Sequence, residues 1–401
     1  MTSQNGDPVS RDTFTVGPAY RELMADFFPA PNLLLLDSPE HIPARSEWDT
    51  YMADVSSRIP PVVRNCVENY IAKTWTDGAT IDLYQDMKNL AWEILSAIFL
   101  GFTPTDDSAK YHTWVSEQET LLRGQFSLFP LSVRMPFWQS PRSKGLDASA
   151  KLQTFLRAEV AHPTCGCPFA QSNSGCIDDA DRAGNLLLFT SSIAVKALSS
   201  LLTASLLNVF LFFHRGSSLA DCLRSQEPEQ REILLRSILR ETERLSPPVI
   251  GIMRRVEEDI LLHKDDATST PEGISESILV PKGWDVWLYF VGASRDEKIY
   301  HQANQFVPER FVGGSEPEAG FAFGGGPKAC LGKETSRLIV KTVVSVLLDR
   351  GWKLNGSIDL AGLRSWLGWD NHVSLDMMAR DLKQLPLQRP REPVKVQIRR
   401  C

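Results

Sequence analysis

The residues with the most chemistry in them lie late in the chain: Phe321-Ala-Phe323-Gly-Gly-Gly326-Pro-Lys328-Ala-Cys330-Leu-Gly332, followed by helix-forming sequence. Three consecutive glycines and a proline let a backbone pass very close to a flat group, because no Cβ stands in the way. Cys330 comes just ahead of a predicted helix, whose unpaired N–H groups and macrodipole favour negative charge. A cysteine so placed is more easily kept as thiolate, the form that ligates a metal. The chemistry on offer is metal ligation by one sulfur beside a planar group. A Gly-rich turn with one cysteine is by itself more often structural, so the rest of the chain has to decide.

The seven cysteines are Cys66, Cys165, Cys167, Cys176, Cys222, Cys330 and Cys401. Seven is odd and they are scattered, which predicts a reducing compartment and no disulfide framework. A second local cluster, His162-Pro-Thr-Cys165-Gly-Cys167 with Cys176, lies in Gly-, Ser-, Asn- and Pro-rich sequence and reads as a surface loop rather than a metal site. Lys and Arg number 43 against 49 Asp and Glu, a formal charge of −6. No long basic tract occurs, so nucleic acid is not expected as a partner, and a lipophilic small molecule suits the composition better.

The elements that must position Cys330 read mainly as helices. Residues 1–45 look irregular. Apolar residues recur at helical spacing from Trp48 to Phe102 in two segments, broken near Asp77-Gly78. Pro-rich sequence at 129–141 precedes a helical piece around 148–160. The stretch from Gly184 to Phe213 carries one formal charge, Lys196, and is long enough to cross a bilayer. Its many Ser and Thr suit a helix buried in protein, so no transmembrane anchor is expected. A helix over 229–245 is stopped by Pro247-Pro248. Short strands are expected at 251–262, 278–280 and 286–291. A last helix follows Gly332 to Gly351, and the final fifty residues read as short strands and loops. The fold class is mainly α with a minor β component.

Taken together, Phe323, Gly326, Cys330 and Gly332 form the pattern Phe-x-x-Gly-x-x-x-Cys-x-Gly, which resembles the signature of the cytochrome P450 family. Glu241-Thr-Glu-Arg244 resembles that family's Glu-x-x-Arg helix, with both side chains on one helix face. Pro308-Glu-Arg310-Phe311 resembles its Pro-Glu-Arg-Phe segment. The resemblance implies one P450 domain over 1–401, with 1–45 as a shortened N-terminal region, 179–213 as the central helix, and 321–350 as the ligand loop and following helix. It further implies haem b, with Cys330 as the iron ligand and Glu241, Arg244 and Arg310 as a buried charge network. Haem contacts are expected from His41 and Arg45 (a His-x-x-x-Arg segment), Arg254, Phe323, Gly326, Lys328 and Gly332. Cations pair with propionate carboxylates through charge-assisted hydrogen bonds.

Two departures stand out. Only forty residues precede His41, fewer than the family pattern implies, so the N-terminal helix and part of the small sheet are expected to be missing. In the central helix, alignment on Leu187-Leu188-Phe189 places Ile193 and Ala194 where the family commonly has an acid–Thr pair. Splitting dioxygen consumes protons, which Ile and Ala can neither donate nor relay. Ser191, Ser192 or an ordered water could substitute. Ser191 in place of the usual Gly is expected to narrow the bulge beside it. Lys196 is expected to point away from that face.

The resemblance therefore implies an atypical haem-thiolate oxidoreductase of the monooxygenase class, tailoring a lipophilic terpenoid or polyketide in secondary metabolism. Electrons would come from a separate NADPH-dependent reductase, since no nucleotide-binding Gly fingerprint is evident. Two alternatives stay open: a non-redox isomerase, dehydratase or cyclase on the same scaffold, and a non-catalytic haem-binding relative. From the polar N-terminus the expected location is the cytoplasm or the periphery of an intracellular membrane.

Overall fold

The structure, a computed structural model, describes residues 13–29, 31–161, 179–263, 277–314, 320–370, 375–383 and 387–400. The cluster His162, Cys165, Cys167 and Cys176, and also Cys401, lie outside the described residues.

Fourteen helices are described. In chain order they are α1 (Pro18–Met24), α2 (His41–Ser56), α3 (Ile59–Thr74), α4 (Leu83–Leu100), α5 (Ser108–Gln125), α6 (Pro141–Ala161), α7 (Asp179–Phe189), α8 (Ser192–Leu211), α9 (Leu219–Ser225), α10 (Pro228–Leu245), α11 (Phe290–Ser294), α12 (Lys333–Asp349), α13 (Ala361–Leu367) and α14 (Leu375–Asp381). Strands are short and paired antiparallel. β7 (Gly251–Val256) lies between β1 (Phe14–Thr15) and β10 (Asp285–Tyr289), and β14 (Lys395–Arg400) lies between β2 (Thr80–Asp82) and β11 (Trp352–Asn355). Four two-stranded ribbons complete the set: β3 (Arg134–Met135) with β4 (Trp138–Gln139), β5 (Phe213–His214) with β6 (Ser217–Ser218), β8 (Ile260–His263) with β9 (Ser277–Val280), and β12 (Leu382–Lys383) with β13 (Arg389–Pro390).

Local signals explain several boundaries. The Asp107 carboxylate caps α5 by accepting from the Lys110 N–H at 2.9 Å. α4 ends at Gly101, whose φ of 71° is the left-handed turn that suits glycine. α10 opens on Pro228, where a missing N–H costs nothing. α8 is apolar nearly all round and accordingly buried, packed by α4, α10 and α12.

The mainly helical class with a minor sheet holds, as do the helices at 228–245 and 333–349. Other expectations need correction. Residues 1–45 are not irregular throughout, because β1, α1 and the start of α2 lie there. The region 48–102 holds three helices rather than two, since Pro60-Pro61 opens α3 directly behind α2. α5 was not anticipated; its polar composition hides its apolar stripe. The last fifty residues contain α13 and α14 besides strands. The central helix is split at Thr190–Ser191, where Ser191 is extended (φ −68°, ψ 156°) and its Oγ accepts the Ala194 N–H at 3.2 Å. That hydroxyl competes with the backbone for the helical bond. Ser191 thus opens the helix instead of narrowing a bulge.

Candidate haem site

The ligand loop is built by its own backbone. After Phe323 the chain turns at Gly324 and Gly326, with φ of 70° and 68°, where a side chain would be strained. A Cβ on Gly326 would meet nothing within 4 Å, so this turn borders open space. A single 3₁₀ turn over Gly326–Lys328 follows. The Cys330 N–H then donates to the Phe323 carbonyl at 2.8 Å, which folds the loop back on itself and fixes the cysteine ahead of α12.

Cys330 is exposed, yet burial pushes its thiol pKa up; the Gly332 N–H and the Arg45 charge pull it the other way without winning. The sulfur is therefore accessible at its surface yet surrounded by enough protein to be poorly hydrated. Desolvation thus works against the thiolate that the helix start favours, and a bound metal's positive charge would help hold the anion. α8 is buried except at Ile193, Ala194, Ala197 and its last residue, Leu211, and Phe189 of α7 is likewise only partly buried.

The cations expected around a haem edge converge. His41 and Arg45 lie one turn apart on α2. His41 is buried, and burial together with Lys328 and Arg45 holds its pKa below the usual value. Arg45 donates to the Ala329 carbonyl at 2.6 Å and pairs with Asp49 at 2.9 Å. Lys328 pairs with Asp37 at 2.9 Å. Arg254, on β7, is half-buried, and burial lowers its pKa. Its guanidinium donates to the Met253 carbonyl at 2.9 Å, and no carboxylate pairs with it among the described residues. A desolvated cation without an anion is costly unless a ligand supplies one. Gly-rich open space, an accessible thiol and a cation without a carboxylate partner, Arg254, beside His41, Arg45 and Lys328 therefore fit a flat, dianionic, metal-bearing group such as haem.

Behind the loop, Glu241 and Arg244 form a two-pronged pair at 2.7 and 2.8 Å, and Arg310 joins Glu241 at 3.0 Å. All three are buried. Arg244 also donates to the Ser294 and Ala303 carbonyls at 2.7 and 2.6 Å, and Arg310 to that of His301 at 2.6 Å. One carboxylate thereby ties α10 to the segment leading into the ligand loop. The resemblance did not supply several partners: Asp37, the Glu243–Arg337 pair at 2.7 Å, and Arg295, whose pKa burial drives down to about 9. Asp37 stands four residues before His41 in the same segment, the one signal that could have found it. Lys196 does point away from Ile193 and Ala194, toward Glu119 of α5 at 3.4 Å.

Residues 225–350, which hold the ligand loop, Arg254 and the Glu241–Arg244–Arg310 network, match the cytochrome P450 family model. Over those residues the chain is similar to the cytochrome P450 family. Cytochrome P450 120 of Synechocystis sp. is 25% identical to this chain over 319 residues, 73% of this chain and 66% of that protein. Cytochrome P450 26A1 of Gallus gallus is 26% identical over 339 residues, covering 76% and 65% respectively. The chain thus spans just under two thirds of the length of those relatives. A beta-amyrin 28-monooxygenase of Saponaria officinalis is 38% identical over 111 residues, 27% of this chain and 20% of the relative. The retinoic acid-bound structure of cyanobacterial CYP120A1 superposes with a TM-score of 0.69 at 20% identity, covering 98% of this chain and 86% of the other. At that identity the likeness establishes the P450 fold.

Proposed function

We propose that this protein is a haem-thiolate monooxygenase that oxidises a lipophilic small molecule of the terpenoid or polyketide class, with electrons from a separate NADPH-dependent reductase. The observation that carries the reading is Cys330, accessible but desolvated, at the end of a glycine turn bordered by open space. Cys330 would hold the iron, and His41, Arg45, Arg254 and Lys328 would take the propionates. Phe323, Gly326 and Gly332 shape the loop against the ring. Haem, when bound, supplies the redox centre. The apolar stripe Phe189, Ile193, Ala194 and Ala197 keeps water from a greasy substrate, and the name of the Saponaria relative accords with such a substrate.

The test is the visible spectrum of purified protein, reduced and exposed to carbon monoxide. A Soret band at the long wavelength of thiolate-ligated haem is expected, and Cys330→Ser should abolish it while far-UV circular dichroism is retained. Wild-type protein that takes up haem without that band would overturn the assignment.

A second reading, non-redox isomerisation, dehydration or ring closure at the same site, is favoured by Ile193 and Ala194. Neither side chain can pass a proton. Turnover that persists at full rate without oxygen, peroxide or NADPH would establish this reading and sink the first.

A further inference from the structure

Three helices enclose a cavity that the chemistry proposed above does not use. Leu201 and Ser205 of α8, Leu239 and Glu243 of α10, and Arg337 and Lys341 of α12 line it, and its volume is about 310 Å³. That is the small end of the range for ligand sites. Helix geometry explains the lining, because residues three and four apart share a face. Glu232, Arg236, Arg240 and Glu243 stand in one row on α10, and Glu334, Arg337 and Lys341 in another on α12.

The two rows carry four cations and three carboxylates, an excess of one positive charge. The carboxylates do not hold the cations equally. Arg337 meets Glu243 at 2.7 Å, with both side chains largely out of water. Its second partner, Glu334 at 2.9 Å, is 74% exposed. Lys341 and Arg236 share Glu232, at 2.9 and 3.7 Å, and all three side chains are open to solvent. Exposed pairs are worth little, because water and salt screen them. A ligand anion that also takes apolar surface out of water can therefore displace Glu334 and Glu232 at small cost.

The inner wall supplies that apolar surface and a hydroxyl. Leu201, Leu239, Leu338 and Val340 all face the cavity. Along α8, the Ser199 and Thr203 hydroxyls donate to carbonyls one turn back, at 2.6 and 2.7 Å. Ser205 Oγ is buried, belongs to the cavity wall and has no partner among the described residues. A buried hydroxyl left unbonded costs free energy that a ligand's oxygen would recover. The leucine wall favours a hydrocarbon tail over a bare inorganic anion. The three glutamates and the single excess charge oppose a multiply charged ligand.

We infer that the cavity between α8, α10 and α12 binds a small aliphatic monocarboxylate, with its head on Arg337 and Lys341, a further donor in Ser205 Oγ and its tail against Leu201 and Leu239. Arg337 also lies over the Phe323 ring at 5.5 Å, so the site adjoins the ligand loop. Binding there needs neither haem nor turnover, so the inference stands or falls apart from the chemistry proposed above.

Titration calorimetry of the full chain with hexanoate should give one saturable site. Hexan-1-ol and hexylamine should bind at least about tenfold more weakly, since neither offers the cations a charge-assisted hydrogen bond. Lys341→Gln should weaken hexanoate about fivefold by removing one such bond. Glu232→Gln frees Lys341 and Arg236 from an exposed pair and should tighten hexanoate about threefold. A gain of that sign cannot come from damage to the fold. A hexanoate affinity that neither substitution moves would place the ligand elsewhere and overturn the inference. Hexan-1-ol binding as tightly as hexanoate, or no saturable heat at all, would overturn it too.

Discussion

The Asp37 carboxylate lies 2.9 Å from Lys328 Nζ, joining the segment ahead of α2 to the ligand loop. The same carboxylate accepts the Val16 N–H at 3.1 Å and pairs with Arg21 at 2.6 Å. It therefore gathers three chain segments around the edge where the haem cations converge. Arg254 feels its charge as well.

Burial alone would raise the pKa of Asp37, but Lys328, the Val16 N–H and Arg21 together hold it below the usual carboxylate range. A depressed folded pKa gives stability that is present above the unfolded value of about 3.9 and lost as pH falls through the folded one. Asp37→Asn should remove that contribution. We expect faster haem loss to an apomyoglobin acceptor at pH 7, and a thermal midpoint that falls less steeply than wild type below about pH 4. Equal haem loss in the two proteins would show that Asp37 is a bystander.

Glu241 is the single counterion between Arg244 and Arg310, all buried. Glu241→Gln keeps the shape but strands two guanidinium groups away from water. Breaking one side of a buried pair costs about 3–5 kcal/mol. Urea unfolding should show a loss of that order, whereas a change under about 1 kcal/mol is what an exposed pair would give.

Ala194 donates its N–H to Ser191 Oγ at the helix break, and Ile193 beside it is apolar. Adding a hydroxyl at 194 restores neither an acidic neighbour nor the helical bond. Ala194→Thr alone should leave the product formed per NADPH consumed within about twofold of wild type, a small change in barrier. A large gain would mean that the alcohol suffices without the acid.

Glu93, on α4, is drawn by burial to a pKa of about 7, against the opposing charge of Lys73. Its folded pKa lies above the unfolded value of about 4.3, so its contribution is full below about pH 4 and declines as pH rises through 7. Glu93→Gln should match wild type in thermal midpoint near pH 4 and exceed it at pH 8. Parallel pH profiles for the two proteins would refute the assignment.

The sequence alone determined the local chemistry of this protein. Glycine spacing dictated the turn before Cys330, the Glu-x-x-Arg interval put Glu241 and Arg244 on one helix face, and Pro247-Pro248 ended α10. Each is set by backbone sterics or helix geometry within a few residues, so one stretch of chain carries the whole signal. The polar surface of α5 and the second break in 48–102 were not legible, because tertiary burial, not composition, stabilises those helices. Only the folded chain decided that Asp37 meets Lys328, that Glu243 meets Arg337 and that Ser191 opens the central helix. Those outcomes depend on which distant segments share a low-dielectric interior, and no interval along the sequence encodes that distance.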